Sequence, residues 1–101
     1  MNIRILRSAK RTVADGIRFY ERQEAGLGAY FLKSIMSDLR ALKISGGTHQ
    51  KYHHSYHRMI CTKFPYSIYY RKDGSTVSVF AVLDDRRDPE WTEQMLRGIG
   101  G

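Results

Sequence analysis

The spacing of apolar residues changes from helical to strand-like near residue 45, and that change limits what this chain can fold into. Upstream, Ala9, Val13, Ile17 and Tyr20, and then Phe31, Leu32, Ile35, Met36, Leu39 and Leu42, recur at three- and four-residue intervals. Such spacing gathers apolar side chains on one side of an α-helix. Downstream, HRMICTK, YSIYYR and TVSVFAVL are short runs dense in β-branched, aromatic and apolar residues, the composition of strands. Helical stripes followed by a block of strands predict an α+β fold in which two helices cover a sheet.

Punctuation residues set the expected boundaries. Ile3 and Ile5 alternate with polar neighbours as a short N-terminal strand would, and Ser8 stands where a helix N-cap is wanted. EAGLG, with Gly26 and Gly28, marks a reversal, and SGG at 45–47 stops the second helix, which together predict an antiparallel helical hairpin packed on an antiparallel sheet. Phe64-Pro65 and Lys72-Asp73-Gly74-Ser75 divide the later runs into a three-stranded C-terminal meander. Asp-Gly suits a type I′ turn, which needs positive φ at both central positions. TVSVFAVL becomes almost continuously apolar towards its end, as a central strand covered on both faces does. Asp88 and Pro89 read as the cap and first residue of a short C-terminal helix carrying Trp91 and Met95, with 98–101 expected as a disordered tail. The 101 residues suffice for about one hydrophobic core, so a single domain spanning 1–101 is expected.

Composition excludes several classes. No apolar run approaches the roughly 20 residues that span a bilayer, and MNIRILRSAK lacks the unbroken apolar stretch of a secretory signal. The lone Cys61 has no partner within the chain for a disulfide or a shared zinc. A cytoplasmic location is expected, with no membrane contact and no small-molecule cofactor. The net charge of +7 is the first functional clue, because such a surface attracts nucleic acid, ribosomes or acidic proteins. Its distribution adds more: from Leu39 to Lys72 there is no acid, while Arg40, Lys43, Lys51, Arg58, Lys63, Arg71 and Lys72 all fall there, interleaved with Tyr52, Tyr56, Tyr66, Tyr69 and Tyr70. A solvated charged face is the plain explanation for any single cation. The whole stretch suits phosphates and unstacked bases, or an acidic protein groove, equally well.

HQKYHHSYHR at 49–58 concentrates the four histidines. His53 and His57 would share a helix face, but the stretch leads into a strand, where residues four apart lie about 13 Å from one another. No acid or thiol within it completes a coordination set, so no metal is expected. Arg86 and Arg87 lie among Asp84, Asp85 and Asp88, so local ion pairs explain them as well as phosphate binding does. Tyr69 and Tyr70 should point to opposite faces of their strand, leaving one for the core. Trp91 reads as a packing residue sealing the sheet, and Met36 and Met59 as core.

FYERQEAGLGAYF (19–31), HRMICTKFPYSIYYR (57–71) and VFAVLDDRRDPEW (79–91), in this order, resemble the RelE/ParE superfamily of toxins from bacterial type II toxin–antitoxin pairs. The resemblance covers roughly residues 5–97. It implies a small basic toxin, neutralised by a cognate antitoxin, which blocks either DNA gyrase, as ParE-like members do, or translation, as RelE-like members do by cutting mRNA on the ribosome. Cleavage needs a base for the ribose 2′-OH, cations for the phosphate and an acid for the leaving oxygen. By the resemblance Arg58 matches a catalytic lysine position, and Arg86 or Arg87 the arginine of the last strand. Ile60, Ser67 and Trp91 depart from the ribonuclease pattern at a lysine, an arginine and a tyrosine position. Each missing charge-assisted bond weakens transition-state binding by about 2–4 kcal/mol, so a ribonuclease reading would need His54 and His57 to act with Arg58 and Arg86. FPYSIYYR and VLDDRRDP look more like the ParE side, which needs a binding surface instead. Candidates for contact with target or antitoxin are Lys51, Arg58, Lys63, Tyr70, Arg71, Arg86, Arg87 and Trp91. A non-toxic basic nucleic-acid-binding module is the reading from another class.

Overall fold

The computed structural model describes residues 1–52 and 55–100. Strand β1 (Asn2–Ile5) leads into α1 (Arg7–Gln23) and α2 (Leu27–Ser45). Then come β2 (Lys51–Tyr52), β3 (Tyr56–Ile60), β4 (Tyr66–Asp73), β5 (Thr76–Asp84) and α3 (Pro89–Gly100). The strands form one sheet in the order β1-β5-β4-β3-β2. The α+β class, the helical hairpin and the β3–β4–β5 meander are as expected from the sequence.

The sheet is mixed, not antiparallel throughout. β1 runs parallel to β5, with Ile3 opposite Val77 and Ile5 opposite Val79. Alternation marks a residue's face but not the direction of its partner strand, so the sequence could not reveal this pairing. β5 is central, as its apolar run requires. Val77, Val79 and Val82 face α1 and α2, where they meet Ala9, Val13, Phe31, Ile35 and Leu42. Ala81 and Leu83 face the other way, towards Tyr56, Tyr69 and Leu96 of α3.

A bulge adjusts the phase of β5. Tyr69 pairs with Ala81 but Tyr70 pairs with Val79, so Phe80 is the additional residue, and Phe80 and Ala81 both turn towards the α3 side. A bulge disturbs the hydrogen-bond ladder of its strand, and α1 supplies partners there. Ser8 Oγ donates to the Phe80 carbonyl (2.7 Å), and Thr12 Oγ1 accepts from the Val82 amide (2.9 Å) while donating to Ala9 O (2.9 Å). Ser8 is therefore not the N-cap. The helix begins at Arg7 after Leu6, and the hydroxyl ties α1 to the sheet.

Other boundaries shift for similar reasons. The β4–β5 turn centres on Gly74 and Ser75 and not on Asp73-Gly74, because Asp73 already pairs with Thr76, and Gly74 takes φ 60°. Asp88 does cap α3, its Oδ1 accepting from the Glu90 amide at 3.0 Å. α3 does not stop at Gly98 but runs to Gly100, because Ile99 lies on the same helix face as Leu96 and Met95 and packs with them. Gly101 is outside the described residues. Met36, expected in the core, is 38% exposed, as is Leu32, because α2 buries Phe31, Ile35, Leu39 and Leu42 on the sheet instead.

The helical hairpin closes tightly. Gly26 turns with φ 91°, and the Glu21 carboxylate accepts the amides of Gly26 and Gly28 at the N-terminus of α2, where negative charge is favoured. A Cβ on Gly28 would sit 2.7 Å from the Ile17 carbonyl, whereas one on Gly98 meets nothing within 4 Å. Gly28→Ala should thus lower stability by about 1–3 kcal/mol through overpacking. Gly98→Ala should raise it by about 0.5–1 kcal/mol through helix propensity. Denaturant midpoints of the two variants, moving in opposite directions, check both.

Candidate functional site

Beside α3, the sheet face over β2, β3 and β4 carries cations among aromatic rings. Arg58 on β3 donates from Nε to Ser67 Oγ (3.1 Å), and its Nη2 lies 3.2 Å from Asp85 Oδ1. Ser67 Oγ in turn donates to Asp85 Oδ2 at 2.9 Å, so Asp85 joins β3 to β4. Burial works against the Arg58 charge, but the hydrogen bonds and charges of Asp85 and Tyr69 together outweigh it and hold the guanidinium above its ordinary pKa. The Arg58 guanidinium also stands 5.7 Å from the centre of the Tyr52 ring, which meets Tyr69 edge-on. Arg71 on β4 lies over Tyr56 (4.4 Å) and Phe80 (4.8 Å) and donates to Ser55 Oγ at 3.1 Å. Lys51 is exposed on the edge strand.

The second group of arginines sits at the end of β5. Arg86 grips Asp84 with two bonds, Nε to Oδ1 (3.0 Å) and Nη2 to Oδ2 (2.8 Å), and reaches the Tyr20 hydroxyl at 3.4 Å. Burial raises the Asp84 pKa, but the bonds from Arg86 overcome this and bring it below the ordinary carboxylate value. Arg87 stacks on Trp91 at 4.1 Å. These two residues border a cleft of about 270 Å³ between α1, the end of β5 and α3.

Among the described residues, those of the ribonuclease reading do not converge. His57 lies on the face towards the helical hairpin, stacked on Tyr70 at 5.1 Å. Arg58, the next residue, faces α3, and Arg86 is directed at α1 near Phe19 and Tyr20. His54 lies outside the described residues. Two contact candidates are also displaced. Tyr70 is fully buried and belongs to the core, because β4 is covered on both faces, so both Tyr69 and Tyr70 are interior. Lys63 lies off this face, 5.3 Å from the centre of the Tyr30 ring of α2. The acid-free run thus divides between two sides of the molecule. Ser67 and Asp85 went unrecognised as partners of Arg58 because only the β3–β4 pairing and the turn after β5 bring them together.

His49, overlooked as a single residue, has a definite role. The Gly47 amide donates to the Tyr70 hydroxyl (2.9 Å), leaving that hydroxyl to donate to His49 Nδ1 at 2.5 Å. His57 Nδ1 donates to the His49 carbonyl at 2.7 Å. His49 must be neutral to accept, and burial, reinforced by the neighbouring His57, lowers its pKa below 6.5. A group depressed on folding contributes stability that is complete above its unfolded value and is lost as pH falls. Denaturant midpoints should decline as pH drops below 6.5, and His49→Gln should show a smaller decline over the same interval.

The hairpin's outer side presents an apolar groove of about 360 Å³ between α1 and α2, lined by Ile5, Val13, Ile17, Leu32 and Met36 among others. No helix among the described residues is long and apolar enough to cross a membrane, so the groove is not part of a spanning helix. Among the described residues no three His, Cys, Asp or Glu side chains form a metal-binding group.

Neither a protein-family model nor a curated protein matches the sequence. Solved structures do: one described as the chromosomal ParDE TA system from P. aeruginosa superposes with a TM-score of 0.70 at 14% identity, covering 81% of this chain and 92% of that one. At this identity the likeness is one of architecture, and the chain has the ParE-like fold.

Proposed function

We propose that residues 1–101 form a single toxin domain of a type II toxin–antitoxin pair, acting in the cytoplasm as a protein ligand of DNA gyrase and held inactive by a cognate antitoxin. The architecture shared with a ParDE system supports the toxin class. The observation that carries the non-enzymatic mode is the disposition of the cations. Arg58 and Arg86 are each engaged by an aspartate, Arg58 on the α3 side of the sheet and Arg86 against α1 at the end of β5, while His57 is stacked on Tyr70 on the opposite sheet face from Arg58. Phosphoryl chemistry requires such groups positioned around one phosphate. A protein ligand requires only a stable relief of charge and aromatic rings, which Lys51, Arg71, Arg87 and Trp91 supply.

The antitoxin is assigned to the apolar groove. Leu32 and Met36 stand one helical turn apart and both are 38% exposed, the pattern that an amphipathic helix covers. The net charge of +7 favours an acidic partner.

Expression without a neighbouring antitoxin should arrest growth, and the purified protein should inhibit gyrase supercoiling while leaving mRNA intact in programmed ribosomes. Cleaved mRNA with unaffected supercoiling would reverse the assignment in favour of the RelE-like mode. Harmless expression together with salt-sensitive binding to naked nucleic acid would favour the non-toxic binding module. Met36→Asp should leave growth arrest intact but weaken antitoxin binding by about ten-fold or more, since burying an unpaired charge is costly; binding measured by titration calorimetry checks this.

A further inference from the structure

A separate concavity of about 230 Å³ lies between the outer face of α2 and the β3–β4 loop, away from both the apolar groove and the arginines beside α3. Its walls carry Lys33, Ser34, Arg40, Thr62 and Lys63, with Tyr30 at the side. Tyr30, Lys33, Ser34, Ser37 and Arg40 recur at intervals of one, three and four, so helix geometry alone brings them into one stripe. The loop is fixed against that stripe by Asp38, which is 3% exposed. Its carboxylate accepts both the Thr62 amide (3.1 Å) and the Thr62 hydroxyl (3.0 Å). Asp38 is thus engaged by the loop, and no acid lines the concavity. Lys33, Arg40 and Lys63 form no ion pair among the described residues. Lys63 is placed by its approach to the Tyr30 ring. Independently of the charges, Ser34 is 6% exposed and its Oγ has no hydrogen-bond partner. A buried hydroxyl without a partner is uncommon and costly, and this one borders the space that the three cations surround.

We propose that this concavity is a phosphate-binding site and that its ligand is a backbone phosphate of a nucleic acid. Three cations on two separate elements, with hydroxyls between them, suit the several oxygens of a tetrahedral anion better than a planar carboxylate, which a single guanidinium can hold in one plane. Turning the Ser34 side chain about χ1 towards the concavity would add a donor. The space exceeds that of a lone anion, and Tyr30, 46% exposed, flanks it where a sugar or base adjoining the phosphate would lie. The site is independent of the toxin reading: it would bind whether or not the chain arrests growth.

Amide chemical shifts of the full chain, titrated separately with inorganic phosphate, a short oligothymidylate and an oligoglutamate, test the proposal. Phosphate and oligothymidylate should move the amides of residues 33–40 and 62–63 saturably, the oligonucleotide binding more tightly. Lys33→Ala and Arg40→Ala, both at exposed positions, should each weaken the two ligands by about five-fold or more. Arg97→Ala on α3, with the same loss of charge, should change them by less than about two-fold. Ser34→Ala should leave the melting temperature unchanged or higher, since no bond is lost, while weakening phosphate by about three-fold. Unsaturable shifts scattered over all cations, or equal damage from Arg97→Ala, would overturn the site. Oligoglutamate binding as tightly as oligothymidylate, or oligothymidylate no tighter than free phosphate, would overturn the nucleic-acid assignment.

Discussion

The structure depends on β5 being buried from both sides. Val77, Val79 and Val82 are capped by the helical hairpin, and Ala81 and Leu83 by the layer that includes Leu96. A strand with two covered faces sends alternate residues to alternate faces, and the bulge at Phe80 shifts that phase by directing Phe80 and Ala81 to the same side. Ser8 and Thr12 of α1 then bond to Phe80 and Val82. The first helix is therefore attached to the central strand by polar bonds beside the bulge as well as by apolar contact.

Electrostatics follow from the same arrangement. The chain carries an excess of cations, but Asp84 and Asp85, at the end of β5, each take one of the arginines that sequence places in a candidate site. Asp38 similarly takes the β3–β4 loop through Thr62. In each case an acid holds an element in place and removes a positive charge or a donor from the surface. Of the cations left over, Lys33, Arg40 and Lys63 gather around the hollow over α2, and Arg87 stacks on Trp91 beside α3. The molecule thus offers several distinct surfaces: an apolar groove on the hairpin, an aromatic and basic face beside α3, and a cationic hollow over α2.

The sequence by itself determined the two helices, the three strands of the meander, the central place of β5 and the cap at Asp88. Each of these is written in local periodicity or in a residue with a narrow conformational role. It also announced the basic, tyrosine-rich middle of the chain. Only the tertiary structure decided the parallel pairing of β1 with β5, the bulge, the exposure of Met36, the burial of both Tyr69 and Tyr70, and the partners of Arg58 and Arg86. These depend on which residues distant in sequence come within bonding distance, and periodicity records the face on which a side chain lies but not what lies opposite it. The same limit separates the histidines: His57 was visible as a titratable residue, whereas the burial that lowers the His49 pKa exists only once β4 lies beneath the loop after α2.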